Sequence, residues 1–197
     1  MTLDQQTLSL ATGIVVLTAG LLFVVETVFR RDSTTSRLWS LGYLAGILTA
    51  FSYLLWASSP SMWWAVAVGN AAFVVSAGAI WNGNRSYNGR RSYVEVTLLL
   101  AVITGFAAGI AGPDGGDWAG APVWFGSVAV LAGFGAAETW RGALRKDVNA
   151  RGLSVVLTVE SLLFAARFVT YFVFGTSSYV FTDVLGTATA SILTMVL

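Results

Sequence analysis

The sequence predicts an all-α membrane protein, a bundle of about seven transmembrane helices that forms a single domain over residues 1–197. Three observations carry this prediction. Of the 197 residues, 56% are apolar and only 11% are charged, whereas a soluble domain carries roughly a quarter charged residues. Long apolar stretches recur along the chain, and basic residues are confined to alternate connections between them. Too few charges remain to cover the surface of a water-soluble fold.

Seven stretches approach the ~20 mostly apolar residues that a membrane-spanning helix needs. The three prolines all lie between these stretches, where helix breakers belong. No linker divides the chain, so we expect one bundle. The predicted helices, numbered first to seventh, are 8–29, 38–57, 62–81, 93–111, 123–140, 153–174 and 179–197.

The basic residues predict the orientation of the bundle. Every Lys and Arg except Arg167 lies in or beside the first, third or fifth connection, whereas the fourth connection carries Asp114 and Asp117. Basic connections stay in the cytoplasm. The sequence therefore predicts an N-terminus outside the cytoplasm and a C-terminus inside it.

Tryptophans mark the ends of the predicted helices, and none falls in the middle of a span. We interpret them as interfacial anchors rather than as a cofactor box. Those at predicted inner ends are Trp39, Trp81 and Trp140, and those at or near outer ends are Trp56, Trp63, Trp64, Trp118 and Trp124.

Small residues recur at four-residue spacing on three predicted helices, a pattern that lets helix backbones approach closely in lipid. We favour packing within one chain as its explanation, and the fourth helix is the best candidate for a dimer face. The three sets are Gly42, Gly46 and Ala50, then Gly105 and Gly109, then Ala129, Gly133 and Ala137.

The composition removes several chemistries. The chain has no Cys and no His, so it lacks disulfides, thiolate chemistry and the commonest metal ligand and general base. Its single lysine, Lys146, lies in a predicted connection, whereas a retinal Schiff base needs a lysine deep in a helix. No Gly-rich phosphate loop is present in the sequence. A net charge of +1 does not indicate the basic surface that binds nucleic acid. We expect no catalytic residue, no cofactor, no metal and no nucleic-acid partner.

Charges within a span are costly and by default suggest function. Glu26, Glu95 and Glu138 lie near predicted inner helix ends. We interpret them as rim charges that can reach the interface or pair with nearby arginines. Six other residues are candidates for a polar core or a ligand-binding site. They are Tyr53, Asn70, Glu160, Arg167, Tyr171 and Asp183.

Depth along the helix axis places Arg167, Asp183 and Asn70 in one outer layer, at ~10, ~6 and ~12 Å from the outer ends at about 1.5 Å per residue. We expect Arg167 to pair with Asp183 and Asn70 to bond to one of them. Glu160, two turns from Arg167, is the rival partner. Two interpretations remain open, a structural ion pair or the floor of an outward-facing ligand pocket.

The second and third predicted helices carry a recognisable pattern. It consists of Trp39-Ser-Leu-Gly42-Tyr43, of Asn70, and of Gly78-Ala-Ile-Trp81-Asn-Gly83-Asn-Arg85-Ser-Tyr87-Asn-Gly89-Arg90. This pattern, over residues 38–91, resembles the MASE-like multi-helix membrane sensor region that precedes GGDEF domains in bacterial diguanylate cyclases. Arg167 matches an arginine that such regions often carry on a late helix.

The resemblance implies a sensor region in the bacterial cytoplasmic membrane. Its output would come from a following cytoplasmic GGDEF domain that makes cyclic di-GMP. It also implies a homodimer. The chain holds no GGDEF or EAL segment, so we expect it not to be an enzyme by itself. The preponderance of apolar side chains suggests a lipid or other hydrophobic ligand. The alternative is a small-molecule or ion transporter or channel, which the intramembrane charges favour and the absence of Gly/Pro-broken helices in two matching halves disfavours.

Overall fold

The computed structural model describes residues 33–175 and, ahead of them, the isolated helical positions 14, 18, 21 and 25. The predicted seventh helix, and the first apart from those four positions, lie outside the described residues. Glu26 and Asp183 lie outside them as well.

Residues 33–175 form five α-helices joined by short connections, and no strand occurs among them. Each helix is long and apolar enough to cross a membrane. The coarse prediction of an all-α membrane protein is therefore confirmed for this part of the chain, and the five helices correspond to the predicted second to sixth. They are α1 (Thr34–Ser58), α2 (Trp64–Tyr87), α3 (Val94–Ala111), α4 (Ala121–Thr139) and α5 (Val148–Phe174), with 3₁₀ turns at Pro60–Met62, Gly112–Trp118 and Leu144–Lys146.

Side-chain caps fix the start of two helices. The Ser33 hydroxyl accepts a hydrogen bond from the backbone N–H of Ser36 at 3.0 Å and begins α1. The Asp147 carboxylate accepts one from the backbone N–H of Asn149 at 2.8 Å and begins α5. Both caps satisfy N–H groups that have no partner within the helix. They start these helices earlier than hydropathy predicted, because capping occurs outside the apolar stretch.

Helix α2 also ends later than predicted. It continues to Tyr87, so the residues after Trp81 that we expected to open a connection form more than another helical turn. Asn82, Asn84 and Arg85 are buried there. Hydropathy identifies only the part of a helix that is apolar enough for lipid. The polar turn after Trp81 was missed because neighbouring helices, rather than lipid, cover it.

The centre of the bundle is α2, which packs against α1, α3 and α4, while α5 packs against α4. Helices α3 and α4 both lie on α2 but contact each other far less. Large apolar side chains on α3 and α5 point outward, as expected for helices that face lipid. The main core cluster includes Val74, Trp124, Phe125, Val128, Leu131 and Phe164.

The connections sort by charge between the two ends of the bundle. At one end the Asn88 side chain bonds to Glu138 and to Leu144, which joins the connection 88–93 to the connection 140–147. We call this the basic end, because both connections carry arginines. At the other end the Trp56 indole donates to Asp117, and we call this the acidic end.

Two of the predicted tryptophan anchors are core residues instead. Trp81 and Trp124 are each 7% exposed and belong to the main core cluster, because they face neighbouring helices. Trp64 and Trp140 are exposed, as the anchor interpretation requires. Position along a helix thus did not predict which way the ring points.

The small-residue faces mostly serve packing within the chain. A Cβ added to Gly42 would lie 3.1 Å from Ile80 on α2, and one added to Gly105 would lie 3.3 Å from Ala71 on α2. One added to Gly133 would lie 2.9 Å from the Ser161 hydroxyl on α5. These contacts support the interpretation that we favoured.

Candidate functional site

Three predicted residues meet near the acidic end, and we call Tyr53, Asn70 and Arg167 the acidic-end layer. The Tyr53 hydroxyl donates to Asn70 Oδ1 at 2.6 Å. Asn70 Nδ2 donates in turn to the carbonyl of Ala119 at 3.0 Å. Asn70 is fully buried, so its amide joins α1, α2 and the connection before α4.

Arg167 faces the interior of the bundle and is only 2% exposed. Its Cζ lies 5.7 Å from the ring centroid of Phe125 and 5.5 Å from that of Phe164. Phe125 and Phe164 belong to the main core cluster, against which Tyr53 also packs. Arg167 and Tyr53 therefore lie against the same aromatic core.

The finer pairing differs in part from the expectation. Asn70 bonds to Tyr53 and Ala119 rather than to Arg167. Glu160 is half-buried, and within the described residues no ion pair joins it to Arg167. Asp183 lies outside the described residues, so its pairing with Arg167 stays a prediction.

Aromatic rings surround this layer. Trp124 lies beside Tyr53, Phe73 and Phe164, with ring centroids 6.1, 6.0 and 5.4 Å away. Tyr171 is half-buried against the same core cluster. The buried Nε1 of Trp124 has no hydrogen-bond partner in the described part of the chain. An unsatisfied buried donor costs about 1–3 kcal/mol, so this end of the core is not fully bonded.

A second polar group lies at the basic end and centres on Glu138. Arg90 Nη1 donates to both carboxylate oxygens, at 2.8 and 2.7 Å. The Nη1 atoms of Arg141 and Arg85 lie 3.4 and 3.6 Å from Glu138 Oε2. We call Glu138, Arg85, Arg90 and Arg141, together with Asn88, the Glu138 cluster.

Glu138 pairs with nearby arginines, as expected, but it is not open at the rim, because its side chain is only 1% exposed. The carboxylate lies under the connection 88–93, which folds over it. Glu95, by contrast, is 62% exposed and pairs only with Arg91, at 3.6 Å. Both glutamates lie close to a helix end in the sequence. This position did not distinguish the buried carboxylate of Glu138 from the exposed carboxylate of Glu95.

Asparagines connect the Glu138 cluster to the surrounding helices. Asn88 Nδ2 donates to the carbonyl of Glu138 at 2.9 Å, and its Oδ1 accepts from the N–H of Leu144 at 3.1 Å. Asn84 accepts from the Trp39 indole and donates to the carbonyl of Gly135, both at 3.2 Å. These side chains tie α1, α2 and α4 together.

Asn82 joins α2 to the start of α3. Its Nδ2 donates to Thr97 Oγ1 at 3.0 Å, and its Oδ1 accepts from the backbone N–H of Tyr93. Gly83, on the same turn, has no space for a side chain because Trp39 packs directly on it. The whole of residues 82–90 is therefore a joint between helices rather than an open connection.

An aromatic row crosses the bundle beside this joint. Trp81 stacks on Tyr93 of the α3 start at 6.1 Å and contacts Phe134 of α4 at 5.5 Å. The guanidinium of Arg85 lies 4.6 Å from the Tyr93 ring and 5.6 Å from the Trp81 ring. Arg85 thereby links the row to Glu138.

The sequence reasoning selected the acidic-end layer and missed the Glu138 cluster as a site. A signal was available, since three asparagines and an arginine occur between Asn82 and Asn88 directly after an apolar helix. Several side-chain amides so close together indicate a segment that hydrogen-bonds to other parts of the protein rather than an exposed connection. Within the described residues, no group of three or more acidic side chains is placed to hold a metal ion.

Comparison of the chain with models of protein families, with curated proteins and with solved structures found no match. The functional argument therefore starts from the two polar groups and the helices that join them.

Proposed function

We propose that the chain is a membrane-embedded signal-sensing region that controls a cytoplasmic output domain, a diguanylate cyclase that makes cyclic di-GMP. One observation supports this proposal above the others. The residues that carry the sequence resemblance, among them Trp39, Asn84, Arg85 and Arg90, are the residues that join the helices at the basic end. Their bonds position helices, which is what a signalling bundle requires.

The route for a signal runs along α2. Asn70 and Arg85 are fifteen residues apart on this one continuous helix, ~22 Å along its axis. A ligand or membrane property that favours one packing of the acidic-end layer would shift α2 and thereby the Glu138 cluster. The bundle then acts as a two-state element whose populations the signal changes. A homodimer belongs to the proposal because output domains of this class act in pairs.

The proposal includes seven spanning helices, with the basic end in the cytoplasm. Alkaline phosphatase is active only outside the cytoplasm. A fusion within Gly112–Trp118 should be active, and fusions within Leu144–Lys146 and after Leu197 should be inactive. The reverse pattern would refute the orientation and the sensor proposal together.

The output domain has a direct test. The coding sequence that follows codon 197 should encode a GGDEF-type domain, and cells that express the whole protein should contain raised cyclic di-GMP. Tyr53→Phe should change that level, whereas Tyr87→Phe should not, because Tyr87 is 42% exposed and the variant keeps the ring that stacks on Trp39. A following sequence without an output domain, or equal effects of both variants, would contradict the proposal.

The chain itself is proposed to lack catalysis. Purified residues 1–197 should not turn over GTP, because the described helices present no set of groups that binds and activates a triphosphate. Turnover that survives purification and is lost in a site variant would refute this part.

A transporter or channel is the second candidate, and the burial of Arg167 within a span favours it. Against it, α1 to α5 are each continuous, without the interrupted helices that line many transport sites. Solute or ion flux in proteoliposomes that Arg167→Gln abolishes would favour transport over sensing.

A further inference from the structure

We propose that the basic end binds the head group of an anionic phospholipid at Arg90 and Arg141, with an acyl chain of that lipid lying between α3 and α4. The proposal does not depend on the sensor function or on the domain that follows. It rests on an unbalanced charge cluster, on open guanidinium groups and on an apolar groove that leads to them.

The charge of the Glu138 cluster is not balanced within the protein. Arg85, Arg90 and Arg141 all approach Glu138 Oε2, at 3.6, 2.7 and 3.4 Å. Three guanidinium groups around one carboxylate leave a local charge of +2. An anion that binds here relieves repulsion among the three arginines, and a phosphodiester supplies both the charge and the acceptor oxygens that guanidinium groups prefer.

Two of these arginines are open to such an anion. The side chain of Arg90 is 42% exposed and that of Arg141 is 58% exposed. Each uses only its Nη1 on Glu138, and the remaining N–H groups have no bond to the described residues. Because both Nη1 atoms approach the same carboxylate oxygen, at 2.7 and 3.4 Å, they lie within about 6 Å of each other.

Helices α3 and α4 each pack on α2 but contact each other far less. The proposal therefore places an apolar groove between them, with α2 as its floor. At the basic end the row Tyr93, Trp81 and Phe134 crosses that floor. On the α4 side Phe134 is 52% exposed and Val130 is 50% exposed.

These features together select a lipid rather than a soluble anion. The arginines lie at the ends of spanning helices, where head groups are concentrated, and Trp140 beside them is 64% exposed. Basic clusters between helices at this depth suit anionic head groups. The groove then accommodates the chain attached to the head group, which a free phosphate does not have.

The experiment measures lipid retained by the purified full-length chain, by native mass spectrometry after exchange into micelles with equal phosphatidylglycerol and phosphatidylcholine. Arg90→Gln/Arg141→Gln should reduce retained phosphatidylglycerol about 25-fold, a factor of about five for each basic residue near the surface. The matched control Arg145→Gln/Arg151→Gln removes the same charge from exposed positions outside the cluster and should reduce retained phosphatidylglycerol far less, because these two arginines do not share one carboxylate. Equal losses in both double variants would overturn the site.

Glu138→Gln separates lipid binding from a merely structural role. It raises the local charge from +2 to +3, so retained phosphatidylglycerol should rise about fivefold, although the cluster loses its internal carboxylate. A fall would overturn the proposal. Val130→Trp, which leaves the Glu138 cluster intact, keeps the test decisive if these charge variants fail to fold.

Val130→Trp tests whether the acyl chain lies in the groove. Excess inorganic phosphate tests whether the bound anion is a lipid head group or a free phosphate. The larger side chain should reduce phosphatidylglycerol retention several-fold, and excess inorganic phosphate should displace little of the bound lipid. Full displacement by phosphate, with Val130→Trp without effect, would show a soluble-anion site and refute the lipid.

Discussion

The two ends of the bundle satisfy their buried polar groups in different ways. At the basic end a carboxylate lies among three guanidinium groups, and Asn84 and Asn88 donate to backbone carbonyls of α4. At the acidic end one amide bridges Tyr53 and Ala119, Arg167 lies over aromatic rings, and the Trp124 N–H has no partner among the described residues.

The difference indicates which end is fixed and which end can rearrange. Hydrogen bonds that involve charged groups are roughly twice as strong as neutral ones, and the Glu138 cluster has several that share one carboxylate. Neutral hydrogen bonds between membrane helices average only about 0.6 kcal/mol. A ligand or a change in the bilayer therefore alters the neutral bridge from Tyr53 through Asn70 to Ala119 at a lower cost in free energy.

Removing Glu138 should have the largest effect. Glu138→Ala leaves three arginines facing one another without a carboxylate, and breaking a buried ion pair costs about 3–5 kcal/mol. The measurement is the free energy of unfolding in mixed micelles. Glu95→Ala is the control, because that side chain is 62% exposed with one exposed partner and should change stability by about 0–0.5 kcal/mol. Similar losses for the two variants would mean that the Glu138 cluster does not fix this end.

The Asn88 clamp should rank next. Asn88→Ala removes the acceptor of the Leu144 N–H and the donor to the Glu138 carbonyl, so we expect a loss of about 1–3 kcal/mol. Asn149→Ala, on the exposed first turn of α5, should be nearly neutral. Unchanged stability of Asn88→Ala would show that water replaces the clamp without loss.

These regions also show what the sequence could predict. Apolar length located five helices to within six residues at every boundary, and axial rise predicted similar depths for Asn70 and Arg167. Rotation about the helix axis was not predictable, so the choice of Tyr53 and Ala119 as partners of Asn70 came only from the structure. Glu138 was misjudged for a related reason, since its burial depends on how the distant connection 88–93 folds over it.

The neutral bridge of the acidic end should be weaker than either basic-end feature. Tyr53→Phe removes only the hydroxyl and should cost about 0.5–1 kcal/mol, whereas Asn70→Ala also frees the Ala119 carbonyl and should cost more. The double variant should lose less than the sum, by about 0.6 kcal/mol. Strict additivity of the two changes would indicate that the hydroxyl and the amide do not bond in the membrane.

The smallest effect should come from Trp124→Phe. The phenyl ring keeps most contacts with Tyr53, Phe73 and Phe164, and the change removes a buried donor that has no partner in the described residues. Removing an unsatisfied N–H should stabilise the folded protein by about 1–3 kcal/mol. The smaller ring loses packing contacts, which destabilises it. The two effects offset each other, so the free energy of unfolding should change little. Trp39→Phe is the matched control, because its indole donates to Asn84 at 3.2 Å and its removal leaves that oxygen unbonded. A loss for Trp124→Phe as large as that for Trp39→Phe would mean that the Trp124 N–H is bonded after all, and the contrast between a fixed basic end and an adaptable acidic end would lose its clearest support.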